Sequence, residues 1–225
     1  TWMPTTEQAG EYEITFIVSD GEDEDLEIIQ INVLYDENTI WLKYFGMSDS
    51  GEWLGSFGDD IIESSDGYII LGRKTLVEGK SPEMWLFKIN SVGEMVWDSL
   101  IVSDEENINY VGNEIKLTMD GGYIIAGKSI DCSSTCNDDG LIVKVDEIGN
   151  VIWKKNYGSV TIQESSNDVI ETDNHFVFTG INNDDMWFVK ISKDSGDIII
   201  EKLLGSDNIE EGNGIINDGT GGYKI

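Results

Sequence analysis

The stretch Gly149-Asn-Val-Ile-Trp153 repeats a pattern that the chain has already used in Gly93-Glu-Met-Val-Trp97, a Gly followed four residues later by a Trp. Trp41, Trp97 and Trp153 are spaced 56 residues apart. A third copy ends in Gly196-Asp-Ile-Ile-Ile200, where Ile takes the place of Trp 47 residues after Trp153. A fixed period of this length is the signature of a repeat architecture.

Two further segments recur with the same period, and both have the composition of β-strands. The first begins at an Asp, Asn or Gly turn and occurs as Asp66-Gly-Tyr-Ile-Ile-Leu-Gly72, Asp120-Gly-Gly-Tyr-Ile-Ile-Ala-Gly127, Asn174-His-Phe-Val-Phe-Thr-Gly180 and Gly221-Gly-Tyr-Lys-Ile225. The second occurs as Met84-Trp-Leu-Phe-Lys-Ile-Asn90, Gly140-Leu-Ile-Val-Lys-Val-Asp146 and Met186-Trp-Phe-Val-Lys-Ile-Ser192. With one more apolar segment upstream, each unit offers four short strands separated by turns.

Units of this length with four strands match the blade of a β-propeller better than a solenoid coil. The sequence therefore predicts an all-β fold with four-stranded antiparallel blades at 41–96, 97–152 and 153–199 and a partial blade at 200–225. This makes an incomplete propeller of about three and a half blades, whereas closure needs at least about four. We predict that Trp41, Trp97 and Trp153 dock between neighbouring blades, because each face of a blade must be covered.

Residues 1–34 lie outside the repeat and read as a hairpin. Apolar side chains alternate with mostly polar ones at Tyr12, Ile14, Phe16 and Val18, and again at Ile29, Ile31 and Val33, as a half-buried strand requires. Two strands alone are at best marginally stable in water. We therefore predict the C-terminal part of a β-sandwich, followed by a linker at 35–40.

The hairpin sequence Ala9-Gly-Glu-Tyr-Glu-Ile-Thr-Phe-Ile-Val-Ser-Asp-Gly21, with Ile28-Ile-Gln-Ile-Asn-Val33, resembles the final two strands of Ig-like and cadherin-like modules of prokaryotic surface proteins. This resemblance implies a stalk or adhesion unit, and some such modules bind calcium through loop carboxylates. The candidate ligands are Asp20, Asp23 and Asp25, since calcium prefers carboxylate oxygens. A solvated acidic turn explains the same residues more simply.

The repeats bring a second resemblance. Lys88-Ile-Asn-Ser-Val-Gly-Glu-Met-Val-Trp97 and Lys144-Val-Asp-Glu-Ile-Gly-Asn-Val-Ile-Trp-Lys-Lys155 resemble the blade repeats of quinoprotein-like (PQQ-like) propellers. With the Asp-Gly-Gly-Tyr segment and Tyr157-Gly158, they are still more similar to a group of secreted prokaryotic propeller repeats. The resemblance implies the fold and leaves the ligand open, because the repeated residues are those that build blades.

The chain is strongly acidic, with 44 Asp and Glu against 14 Lys and Arg and a net charge of -30. Nucleic acid is excluded as a partner because phosphate binding needs a basic face. The apolar runs of four or five residues are far shorter than the roughly 20 that span a bilayer. An acidic surface suits divalent cations, basic partners or a salty milieu, although a solvated coat that keeps the protein soluble explains it more simply.

The only two cysteines, Cys132 and Cys136, fall in the connection between two strands of the second unit. We predict a disulfide between them, which indicates an oxidising, extracytoplasmic location. The neighbouring pair Asp138-Asp139 matches Asp184-Asp185 in the next unit. Turn chemistry explains these carboxylates, and a ring of cation ligands is the alternative.

No residue set compels catalysis, because adjacent carboxylates point to opposite faces of a strand and no phosphate-binding Gly loop precedes a helix. We predict a non-enzymatic extracellular or cell-surface protein whose propeller presents loops to a protein or glycan partner. We expect the binding site in the loops 73–83, 128–139 and 181–185, because the strand residues of a blade are occupied in packing. A quinoprotein-like enzyme and a purely structural spacer are the alternatives. Lacking an initiating Met and stopping within a repeated segment, the chain is expected to be part of a longer protein with further domains.

Overall fold

The protein forms two separate β units. The computed structural model describes residues 10–19, 24–33, 43, 45, 55–76, 78, 81–105, 107–133, 136–159, 162–206 and 208–225. The first unit covers Thr1–Leu42 and the second covers Lys43–Ile225. Within the described ranges every regular element is a strand, and no helix there is long and apolar enough to cross a membrane.

The first unit contains one antiparallel hairpin. Its strands are β1 (Gly10–Ser19) and β2 (Glu24–Val33), and they pair from Gly10 opposite Val33 to Ser19 opposite Glu24. Asp25 belongs to β2, opposite Val18, rather than to the loop in which the sequence places it. Its side chain, Asp20, Asp23 and the linker at 35–40 lie outside the described residues. The sandwich and its calcium loop thus stay predictions.

The second unit contains three four-stranded antiparallel sheets in which strands that follow one another in the chain are neighbours. The first sheet consists of β3 (Ser56–Ser64), β4 (Gly67–Lys74), β5 (Glu83–Asn90) and β6 (Met95–Ile101). The second consists of β7 (Ile108–Leu117), β8 (Tyr123–Asp131), β9 (Asn137–Val145) and β10 (Val151–Tyr157). The third consists of β11 (Glu164–Glu171), β12 (His175–Asn182), β13 (Asp185–Ser192) and β14 (Ile198–Leu204). A short pair, β15 (Ile216–Asn217) and β16 (Tyr223–Lys224), follows.

Each sheet ends, rather than begins, with its Gly-x-x-x-Trp or Gly-x-x-x-Ile strand. The units predicted at 41–96, 97–152 and 153–199 start at or near this strand, whereas the sheets span 56–101, 108–157 and 164–204. The reason is the tight turn before it: Gly93 and Gly149 have φ angles of 76° and 84°, which suit Gly, and fold the strand back onto its predecessor.

A β-bulge interrupts the first strand of every sheet at the same place. The register shifts between Gly58 and Asp60, between Gly112 and Glu114, and between Ser166 and Asp168. A Gly in the second strand faces each bulge, and a Cβ there would lie 2.3, 2.1 and 1.9 Å from a carbonyl oxygen of the first strand at Gly72, Gly127 and Gly180. The repeated segment ends in Gly because the bulged strand leaves no room for a side chain.

The second sheet is covered by apolar side chains on both faces. Successive residues of β8 belong to different clusters, since Ile125 packs with Leu71 and Leu86 of the first sheet, and Ile124 packs with Phe178 of the third. The first strands also lie side by side, β7 against β3 and β11 against β7. Alternation of side chains along the strands thus produces two core clusters, one on each face of the second sheet.

A buried Lys holds the β7–β8 turn. Lys144 is 4% exposed, and its Nζ donates to Thr118 Oγ1, Asp120 Oδ1 and the Val145 carbonyl at 3.0 to 3.1 Å. Burial raises the pKa of Asp120, but hydrogen bonds from Thr118, Gly122 and Lys144 outweigh this and lower it from 3.8 to about 2.

We expect Asp120→Asn to reduce the free energy of unfolding at pH 7 by about 1 kcal/mol, because solvent screens the half-exposed carboxylate. Because the pKa of Asp120 is lower in the folded state, its contribution to the free energy of unfolding is fully present above the unfolded-state pKa of 3.8. That contribution is lost as the pH falls towards about 2. Urea unfolding of wild type and variant should therefore show a difference that narrows below pH 4. A difference independent of pH would contradict the ion pair.

Candidate functional site

One end of the three sheets carries the connection from each second strand to the third and the segments that join one sheet to the next. The first and third strands of each sheet start there, and the second and fourth strands finish there. We call this end the loop face; it carries the connections 75–82, 132–136 and 183–184 and the segments 102–107, 158–163 and 205–215. The predicted loops 73–83, 128–139 and 181–185 overlap it, but strands occupy more of each than the sequence indicates.

The cysteine pair lies on the loop face. Cys132 and Cys136 form a disulfide with a sulfur–sulfur distance of 2.08 Å. It closes the connection between β8 and β9, so the last residue of one strand and the first of the next are held together beside the loop face.

The repeat Trp residues lie at the other end of the sheets, among the tight turns. Trp97 packs near Tyr123 of the second sheet, and a Cβ on Gly149 would lie 2.7 Å from its ring. Trp153 makes the equivalent contact with Phe176 of the third sheet, and its Nε1 donates to the Lys193 carbonyl at 3.0 Å. Each ring therefore contacts the next sheet. Trp41 lies outside the described residues.

The sequence analysis missed a more deeply buried Trp. Trp187 is 0% exposed, meets Phe178 edge-on at 5.2 Å, and lies against Gly140 of the preceding sheet. Its Nε1 donates to Glu201 Oε1 at 2.8 Å, just as Trp85 Nε1 donates to Asp98 Oδ2 at 2.9 Å. The Met-Trp dipeptide that occurs near the start of β5 and again near the start of β13 is the signal that could have identified it.

A polar cleft of about 520 Å³ opens on the loop face between the second and third sheets. Amides, carboxylates and one amine dominate its lining. The lining residues are Asn113, Glu114, Lys128, Asp138, Gln163, Glu164, Ser165, Asn167, Ile181, Asn183, Glu211 and Asn213. Five amide side chains can each donate and accept hydrogen bonds, which suits a ligand rich in hydroxyl groups.

The bulges place two of these amides. Asn113 is the extra residue of the bulge in β7, and its Nδ2 donates to Ser165 Oγ at 3.1 Å and to the Ser166 carbonyl at 3.0 Å. Asn167 repeats this one sheet later, donating to the Gly212 carbonyl at 3.1 Å and to Glu211 Oε1 at 2.8 Å. A bulge turns its extra residue out of the ladder, so Asn113 reaches the third sheet, Asn167 reaches the segment 205–215, and both line the cleft.

Glu164 is the most perturbed acid of the cleft. Its residue is 2% exposed, Oε1 accepts a hydrogen bond from the Ser159 amide at 3.1 Å, and Oε2 has no partner among the described residues. Burial raises its pKa to about 7. Burial, with the nearby carboxylates of Asp131 and Asp138, also raises the pKa of Asp139.

A second cleft, of about 660 Å³, opens between the loops of the first and second sheets. Its lining includes Leu76, Ser81 and Glu83 before and at the start of β5, together with Cys132. Burial raises the pKa of Glu83. The loop face therefore offers two neighbouring clefts in which carboxylates are held away from water.

Among the residues that the structure describes, no three His, Cys, Asp or Glu side chains come close enough together to hold a metal ion. The paired acids Asp138-Asp139 split as strand geometry requires, with Asp138 lining the cleft and bonded to Lys128 at 2.6 Å. In comparisons with known proteins, no family model and no curated protein matches this chain.

Proposed function

We propose that the second unit is part of a β-propeller that serves as a non-enzymatic binding scaffold, and that its loop face binds a short glycan. Three observations support the propeller: the sheets are simple meanders, their first strands lie side by side, and the middle sheet is covered on both faces. These are the relations expected between neighbouring blades.

The polar cleft carries the proposal for the ligand. Its size of about 520 Å³ suits a sugar or two, and its five amides lie beside carboxylates, a Lys amine and a Ser hydroxyl. Sugar hydroxyls donate and accept hydrogen bonds, as amides do, so a glycan can satisfy this lining without a charge of its own. A protein partner usually needs about 800 Å² of contact on each side, centred on apolar anchors.

The disulfide and the acidic charge support an extracellular or cell-surface location for this chain. The disulfide between Cys132 and Cys136 persists in an oxidising compartment, and it lies beside the face that binds. The net charge of -30 keeps such a surface soluble and repels nucleic acid and anionic membranes.

A glycan array probed with the labelled 225-residue chain tests the function. We expect retention on a defined class of neutral or amino-sugar glycans. Gln163→Ala and Asn167→Ala should each weaken it about tenfold, the effect of one or two lost hydrogen bonds. Asn174→Ala, an exposed amide at the turn end, is the matched control and should bind as wild type does.

Thermal melting of each variant separates lost binding from lost folding. The proposal is wrong if no glycan is retained, or if folded Gln163→Ala and Asn167→Ala variants bind as strongly as wild type. If the two cleft variants and the Asn174→Ala control all retain the glycan equally, the glycan binds elsewhere on the chain.

A further inference from the structure

The buried carboxylate of Glu164 lacks the partner that its position requires. It is 2% exposed, yet Oε2 accepts no hydrogen bond among the described residues. A buried ionised carboxylate is costly unless it is paired, hydrogen-bonded or bound to a cation. When this carboxylate is ionised, the Ser159 amide on Oε1 leaves Oε2 open to a cation.

A second carboxylate faces the same space. A Cβ built on Gly158 would lie 3.0 Å from Glu164 Oε2 and 3.1 Å from Asp139 Oδ1, so both oxygens border the gap that this Gly leaves open. Glu164 begins β11 and Asp139 lies in β9, so the pair joins the second sheet to the third. No cationic side chain is bonded to either carboxylate among the described residues, because Lys128 pairs with Asp138 instead.

Neutral oxygens complete the surroundings. Asn137 Nδ2 donates to Asp139 Oδ1 at 3.2 Å and to the Ser159 carbonyl oxygen at 3.3 Å, so both oxygens lie next to this amide. Rotation of that amide presents its own oxygen to the same space. With the amide so rotated, two carboxylates, one amide and one backbone carbonyl offer oxygen ligands, which calcium prefers, whereas zinc prefers nitrogen and sulfur.

The segment that follows the third sheet contains a similar Gly, Ser and Glu, but there both carboxylate oxygens accept hydrogen bonds. Glu210 follows Gly205 and Ser206 as Glu164 follows Gly158 and Ser159. Both Glu210 oxygens accept hydrogen bonds from Ser206, one from the amide at 3.1 Å and one from the hydroxyl at 2.5 Å. Of these two Glu residues only Glu164 has an oxygen without a partner in the described part of the chain, a state that Glu83 Oε2 shares in the neighbouring cleft.

We propose that Glu164, Asp139, Asn137 and the Ser159 carbonyl bind one Ca²⁺ ion, which links the second sheet to the third beside the polar cleft. The site does not depend on the proposed glycan function. Two carboxylates are few for calcium, so the affinity should be in the weak range of extracellular modules, with a dissociation constant of about 10⁻⁴ to 10⁻³ M.

Calorimetric titration of CaCl₂ into the metal-free full chain at pH 8 tests the site. We expect one saturable site that Glu164→Gln and Asp139→Asn each weaken at least about tenfold, a loss of one charged ligand apiece. Glu210→Gln is the matched control and should bind calcium as wild type does. The amide resonance of Ser159 should shift during the titration of wild type, which locates the ion.

Two outcomes would overturn the proposal. One is the absence of saturable heat with the wild-type chain at concentrations about ten times the weaker expected dissociation constant. The other is unchanged binding by the folded Glu164→Gln and Asp139→Asn variants. If Asp23→Asn alone abolishes binding, calcium occupies the hairpin loop of the first unit and the site at Glu164 is wrong.

Discussion

Replacing Gly72 by Ala is expected to lower the free energy of unfolding by roughly 3 kcal/mol, one of the largest effects in the chain. The added Cβ would lie 2.3 Å from the Phe57 carbonyl oxygen, a distance that only movement of the bulged strand can relieve. Urea unfolding followed by Trp fluorescence measures the change, since Trp85 lies on the neighbouring strand β5.

Gly58 supplies the matched control. It pairs with Gly72 across the same two strands, yet a Cβ there would meet nothing within 4 Å. Gly58→Ala should change the stability by no more than about 1 kcal/mol, the effect of a Gly to Ala change that meets no strain. Equal effects of the two substitutions would show that the bulge does not constrain the second strand.

Replacing Trp187 by Ala is expected to cost about 3–5 kcal/mol, the range for large aromatic residues in protein cores. The ring is fully buried between Phe178 and Gly140, so its loss leaves a cavity at the junction of the second and third sheets. Trp187→Phe should cost less, because it keeps the aromatic contact and loses the hydrogen bond to Glu201. Thermal or urea unfolding measures both.

Trp153→Ala should be compared with Trp187→Ala, because the sequence predicts that Trp153 makes the contact between neighbouring blades. Trp153 is only partly buried at the turn end of the sheets, so Trp153→Ala should cost about 1–3 kcal/mol. If Trp153→Ala is the more damaging of the two substitutions, the sheets are held together at the turn end rather than through the core beside Gly140.

The sequence predicts the strands well because their signals are local. The recurring segment that ends in Gly127 forms β8, the segment that follows Gly140 forms most of β9, and the Gly149 turn leads into β10. Alternation with period two and Gly at turns depend only on near neighbours in the chain, so one sequence suffices to read them.

The site could not be read in the same way, because it depends on contacts between sheets. Asn113 and Asn167 look like ordinary polar residues of strands in the sequence, and only the bulges turn them towards the following repeat. Likewise, nothing local distinguishes Glu164 from the exposed acids of so acidic a chain. Its burial results from the position of β11 beside β9, and Glu210, at the same place in the repeat, has a different hydrogen-bonding state.

The sheets lie side by side through their first strands, and the bulge residues Asn113 and Asn167 each bond to the repeat that follows their own sheet. Nuclear Overhauser contacts of the Asn113 and Asn167 side-chain amides test this arrangement most directly. We predict cross-peaks from Asn113 Hδ2 to Ser165 and Ser166, and from Asn167 Hδ2 to Gly212. Contacts confined to each residue's own sheet would contradict the stacking and, with it, the polar cleft on the loop face.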